Sequence, residues 1–141
     1  GDFDINKKTL LLHGTNTKNH NDAVLTMPDH VLRLMIDLHV FDSPGNYYLF
    51  SDGFAPGRER RSEKSFRDYW HHHVRKALKM TDRYKFYSLK DTGITNMLRA
   101  NTDILSVRDQ ARHSSILITD IYTPKDIQQA NRLLLNYRGV L

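Results

Sequence analysis

Apolar residues recur at helical spacing most regularly between Ser62 and Leu78, where Phe66, Tyr69, Trp70, His73, Val74, Ala77 and Leu78 fall at i, i+3, i+4, i+7, i+8, i+11 and i+12. That spacing predicts one long helix with a continuously buried face. Upstream the period is shorter. Lys8 to His13 (KTLLLH) and Ala23 to Met27 (AVLTM) are β-compatible runs around the turn-rich GTNTKNHND, which predicts a hairpin with Lys18 near its tip. Pro28 sits where a helix can begin, with Val31, Leu32, Leu34, Met35 and Leu38 as its apolar face up to about His39, and DSPGN as its stop. Tyr47 to Phe50 reads as a short strand before the loop SDGFAPGRERR.

Downstream the pattern stays helical. Ser88 and Asp91 have the spacing of a capping box for a helix through about Arg99. Asn101 or Thr102 can cap another to about Gln110, and Ser114 or Ser115 a short one toward Ile121. Thr123, Pro124 and Asp126 mark a further start, followed by the stripe Ile127, Ala130, Leu133, Leu134 and Tyr137. The fold class is therefore mainly α with a small antiparallel β-sheet. Tyr122 falls on an exposed joint just ahead of a helix.

Composition narrows the function classes. In 141 residues, 39% are hydrophobic and 26% charged, the balance of one globular domain with its own core. With no cysteine, disulfide frameworks and cysteine-based zinc sites are excluded, which fits an intracellular setting. Apolar stretches reach only a few residues, against the ~20 that span a bilayer, and no signal-peptide pattern opens the chain; no membrane partner is expected. Gly1 in the place of an initiator methionine predicts a piece trimmed at its N-terminus. A formal charge of +5 favours a polyanionic partner, nucleic acid first, because neutralised phosphates release condensed counterions.

The candidate chemistry is concentrated late in the chain. A KDTG turn (residues 90–93) leads into a segment where His113 precedes Tyr122 by nine residues across a short helical connector. Such an offset suits an enzyme that aims a phenol at a phosphate while a neighbouring donor holds that phosphate. A phenol is a weak nucleophile near its free pKa of ~10, so it needs nearby positive charge and a proton acceptor, and fixed donors must meet the charge developing on the phosphate. His71, His72 and His73 point about 100° apart on a helix and cannot converge on one metal, which wants i and i+4. Arg58, Arg60, Arg61, Lys64 and Arg67 can grip backbone phosphates, or form an ordinary charged surface diluted by Glu59 and Glu63.

On these residues the chain resembles the C-terminal catalytic domain of the tyrosine recombinases, the phage-integrase family. The resemblance covers nearly the whole chain: the opening DFDI, TKN at 17–19, KDTG at 90–93, HSS at 113–115 and IYTP at 121–124, with Lys90 preceding His113 by 23 residues. It implies a DNA breaking-rejoining fold that cleaves one strand at a time through a 3′-phosphotyrosyl intermediate, without metal or other cofactor. It also implies double-stranded DNA and further recombinase subunits, as a tetramer, for partners, and a bacterial cytoplasmic, DNA-associated location. Tyr122 is then the nucleophile, Lys18 the general acid and His113 a donor to the phosphate.

Two positions depart from the family's His-x-x-Arg, which here reads Tyr87, Ser88, Leu89, Lys90. Lysine keeps the charge but loses the planar fork that binds two phosphate oxygens. Tyr87 keeps a hydroxyl but is no base near pH 7. By order along the chain, the family's upstream arginine falls before residue 1. Arg112 stands where the family commonly has glycine and is a candidate compensating guanidinium. Alternatives are a catalytically weakened relative that binds DNA without cutting it, a type IB topoisomerase-like enzyme, and a basic domain with no DNA preference.

Overall fold

The structure, a computed structural model, describes residues 2–16, 20–124 and 135. Two compact units divide the chain, residues 1–89 and 90–141. Among the described residues no helix is long and apolar enough to cross a membrane.

The first unit opens with a three-stranded antiparallel sheet ordered β1 (Phe3–Asp4), β2 (Thr9–Leu12), β3 (Ala23–Thr26). Leu10 pairs with Phe3 on one side and with Leu25 on the other. Burial alternates along β3, with Ala23 and Leu25 turned inward and Val24 and Thr26 outward, the period of two that a one-sided sheet requires. The first turn closes through the Asp4 carboxylate, which accepts from Lys7 N–H at 2.9 Å, and Lys8 takes a left-handed φ of 53°. At Gly14 a Cβ would lie 2.5 Å from the His20 carbonyl oxygen, so only glycine allows this approach. Lys18, the predicted hairpin tip, lies outside the described residues.

Helix α1 (Asp29–Asp37) begins after Pro28 as expected, but buries only Leu32 fully, while Leu34 and Leu38 stay exposed. It stops before DSPGN, because His39 turns left-handed at φ 55° and donates its N–H to the Ile36 carbonyl. The strand expected at Tyr47 to Phe50 is absent. Tyr48 instead makes one isolated bridge with Gly57, where the neighbouring Ser51 leaves no room for a Cβ.

The long helix expected from Ser62 to Leu78 is present, with an irregular middle. Ser62 caps α2 (Glu63–Tyr69), its Oγ accepting from Ser65 N–H at 3.3 Å, but a π-helical turn spans Trp70–Val74 before the short α3 (Arg75–Ala77). Arg75 N–H bonds the Trp70 carbonyl, five residues back. The wider turn shifts the phase of the side chains after it, and Leu78 beyond it is 59% exposed; Tyr69, before the turn, is 48% exposed as well, so the face is not continuously buried. His73, expected on that face, is exposed under the stacked Tyr69 ring. Packing comes from aromatic rings instead, Phe66 meeting Phe50, Phe54 and Phe86 at centroid distances of 5.3, 5.1 and 6.0 Å.

The second unit is helical: α4 (Ser88–Arg99), whose first two residues belong to the first unit, then α5 (Ile104–Ala111) and α6 (Ile116–Asp120). Ile94, Met97 and Leu98 on α4 meet Val107 and Ala111 on α5, the i, i+3, i+4 pattern closing on itself. Ile94 and Val107 have 1% and 0% exposure; truncating either to alanine should cost on the order of 1–4 kcal/mol. KDTG is not a turn but part of α4. Ser88 is the first residue of α4, and its Oγ accepts from Lys85 N–H at 3.1 Å. The cap of α5 is Asp103, which accepts from Ser106 N–H at 2.9 Å, because Asn101 and Thr102 close α4: Asn101 is left-handed, and the two N–H groups bond the Leu98 and Met97 carbonyls. Ser115 caps α6 as expected. The helix expected after Thr123 lies outside the described residues.

Candidate active site

His113 is placed by the end of α5. Arg112 turns left-handed (φ 56°, ψ 42°), its N–H bonding the Asp109 carbonyl, and His113 N–H bonds the Arg108 carbonyl, both at 3.0 Å. This is the Schellman closure, and it accounts for the expectation of glycine at residue 112: the left-handed region costs any side chain roughly 1–2 kcal/mol. The closure delivers the imidazole back toward α6, where Nδ1 lies 3.0 Å from Oγ1 of Thr119. Thr119 has no exposed surface.

Tyr122 follows α6, its N–H bonding the Thr119 carbonyl at 3.0 Å. The exposed joint expected at Tyr122 is not found: the side chain is partly buried against Ile94, Val107 and Ala111. Its ring runs nearly parallel to that of His113, with centroids 5.9 Å apart and planes at 22°. Its hydroxyl donates to Asp91 Oδ1 at 2.9 Å. Tyr122, packed against this small core, thus meets both the phosphate-donor candidate nine residues before it and a carboxylate 31 residues upstream.

Burial holds the His113 pKa below the ordinary 6.5, the nearby Lys90 ammonium lowers it further, and Asp91 opposes both. The imidazole is therefore neutral near pH 7 and has a single N–H to donate. Lys90 is exposed and close enough to act on His113 electrostatically.

In the first unit Tyr87 is exposed and, with Arg67, Arg75 and Lys85, lines a surface cleft of about 710 Å³. The basic cluster separates into different environments. Arg61 pairs with Asp52 at 2.8 Å and lies over the Phe54 ring, Lys64 pairs with Asp68 at 2.7 Å, and Arg58 reaches the Tyr47 hydroxyl at 3.3 Å. Arg60 and Arg67 are exposed. Among the described residues no group of three or more His, Asp or Glu side chains is arranged to hold a metal ion.

Sequence reasoning missed Thr119 and took Asp91 for a cap. Thr119 sits in the apolar run ILITD, and nothing local marks its hydroxyl as the partner of a histidine six residues back.

A three-stranded antiparallel sheet followed by a helical unit carrying His113 and Tyr122 defines an integrase-type catalytic-domain fold. The Phage integrase family profile matches residues 1–129, and the chain belongs to that family. Among solved structures it is similar to the Tn1549 transposon integrase (residues 82–397) in complex with circular intermediate DNA, with a TM-score of 0.58 and 15% identity over 87% of this chain. The match spans 45% of that integrase chain. A comparison with curated proteins finds no match.

Proposed function

We propose that this chain is most of the catalytic domain of a site-specific DNA recombinase, which cleaves one strand at a time through a 3′-phosphotyrosyl intermediate. The observation that carries this reading is the stacking of His113 on Tyr122, which packs against the buried core. Tyr122 is the nucleophile. Thr119 donates its hydroxyl proton to Nδ1 of His113, which leaves Nε2–H as the donor to a non-bridging phosphate oxygen. Lys90 adds positive charge to that phosphate, and Lys18 protonates the departing 5′ oxygen. Arg60, Arg67 and Arg112 contact the DNA backbone, with Tyr87 beside the cleft that Arg67 lines. Double-stranded DNA is the substrate, and further subunits assemble on it as a tetramer; the DNA-bound Tn1549 integrase supports the first of these.

The test uses the natural full-length protein on a nicked duplex spanning its own recombination site, from which the cleaved 5′ end diffuses away and resealing fails. A covalent adduct should form and map to Tyr122 by mass spectrometry of the linked peptide. Tyr122→Phe should abolish it while DNA binding persists. A second reading, a relative that binds DNA without cutting it, is favoured by Lys90 and Tyr87 standing where the family pattern has arginine and histidine; it requires binding without any adduct.

A further inference from the structure

If Tyr122 attacks a phosphate, its phenolic proton must go somewhere, and the structure places an acceptor against it. Tyr122 Oη donates to Asp91 Oδ1 at 2.9 Å, within the distance that proton transfer requires. We propose that Asp91 is the general base of this site, taking the phenolic proton as the Tyr122 oxygen closes on phosphorus. The inference rests on the reading of Tyr122 as nucleophile.

The other candidate acceptors are poorly suited. Tyr87 is itself a phenol. His113 has Nδ1 against the Thr119 hydroxyl, and its plane runs alongside the Tyr122 ring. Lys90, the neighbouring cation, accepts nothing while charged. The Asp91 carboxylate accepts directly from the reacting hydroxyl.

Its position also constrains the order of events. A carboxylate beside a phenol disfavours a preformed phenolate, because the two negative charges would repel at contact distance. Proton loss and attack are therefore coupled: the Tyr122 O–P bond forms and the P–O5′ bond breaks while the proton passes to Asp91. The carboxyl group becomes neutral as negative charge builds on the phosphoryl oxygens, so no anion faces them. The 5′ oxygen takes its own proton from a separate acid, Lys18 in the reading above. On resealing, the attacking 5′ hydroxyl gives its proton back to Lys18 while Asp91 returns the other to the phenol, and the cycle balances.

The experiment measures single-turnover adduct formation by the natural full-length protein on the nicked duplex, with either oxygen or sulfur bridging phosphorus to the 5′ carbon. Asp91→Asn keeps an oxygen that accepts the phenol O–H but is not basic. It should unfold at the wild-type temperature yet form adduct roughly 100-fold more slowly. The deficit should be equal on both substrates, since sulfur leaves without a proton but the phenol must still lose one. The Asn rate should climb with pH between about 7 and 9, as hydroxide replaces the missing base, and Asp91→Glu should recover part of the loss. Wild-type or faster cleavage by Asp91→Asn would overturn the proposal, the faster case marking Asp91 as a restraint on Tyr122. So would a deficit that vanishes with sulfur, which would place Asp91 at the leaving group. No adduct from the wild-type protein would instead remove the functional reading, and this inference with it.

Discussion

The Nδ1 atom of His113 lies 3.0 Å from the hydroxyl of Thr119, a side chain with no exposed surface. If that hydroxyl sets the imidazole tautomer, Thr119→Val, which keeps the shape and removes the proton, should slow adduct formation about 10- to 100-fold. Thr119→Ser should stay within a few-fold of wild type. Equal rates for valine and serine variants, with matched unfolding temperatures, would make Thr119 a packing residue only.

His113 gives the fold a pH dependence of defined sign. Its pKa is held below 6.5 in the folded chain, so the unfolded state binds more protons as pH falls. Stability tied to the neutral imidazole is complete above about pH 6.5 and is lost as pH drops through the lower folded value. Asp103, in the same unit, is shifted below 3.8 and acts only in stronger acid. Urea unfolding between pH 7.5 and 5 should show a downward slope that His113→Gln reduces.

Lys90 supplies charge without a fork. Lys90→Ala should slow cleavage at least ~10-fold, by removing a charge that meets the transition state. Lys90→Arg should match or exceed wild type, because a guanidinium can hold two phosphate oxygens. An alanine variant at full rate would make Lys90 a surface residue.

The basic cluster should divide along its environments. Arg60→Ala and Arg67→Ala should each weaken duplex binding and lower the salt slope by roughly one. Arg61→Ala should instead lower the unfolding temperature, since this guanidinium is committed to Asp52 and the Phe54 ring. Titration of a labelled duplex at several ionic strengths, beside thermal melts, separates the two classes.

Arg112→Gly relieves a side chain at φ 56° and should stabilise the chain by about 1 kcal/mol. If Arg112 also touches phosphate, the same variant binds DNA more weakly. Stability that does not rise would count against strain at this position.

Sequence alone determined what local physics determines: the hairpin strands from their short apolar runs, α1 behind Pro28, the helical period from Ser62, the helix through Arg99 and the short helix begun at Ser115. The nine-residue offset of His113 and Tyr122 was legible because a single short helix spans it. Tertiary structure decided the rest. The π-helical turn at Trp70–Val74 broke a face that periodicity read as continuous, since one wider turn shifts the phase of every later side chain. Asp91 read as a cap from its spacing to Ser88, whereas folding brings its carboxylate to a hydroxyl 31 residues away. Thr119 looked like one more position in an apolar run until closure of α5 at Arg112 turned His113 back onto it. Hydrogen bonds between residues far apart in sequence leave no periodic trace, because packing of the helices, not the run of the chain, chooses the partner.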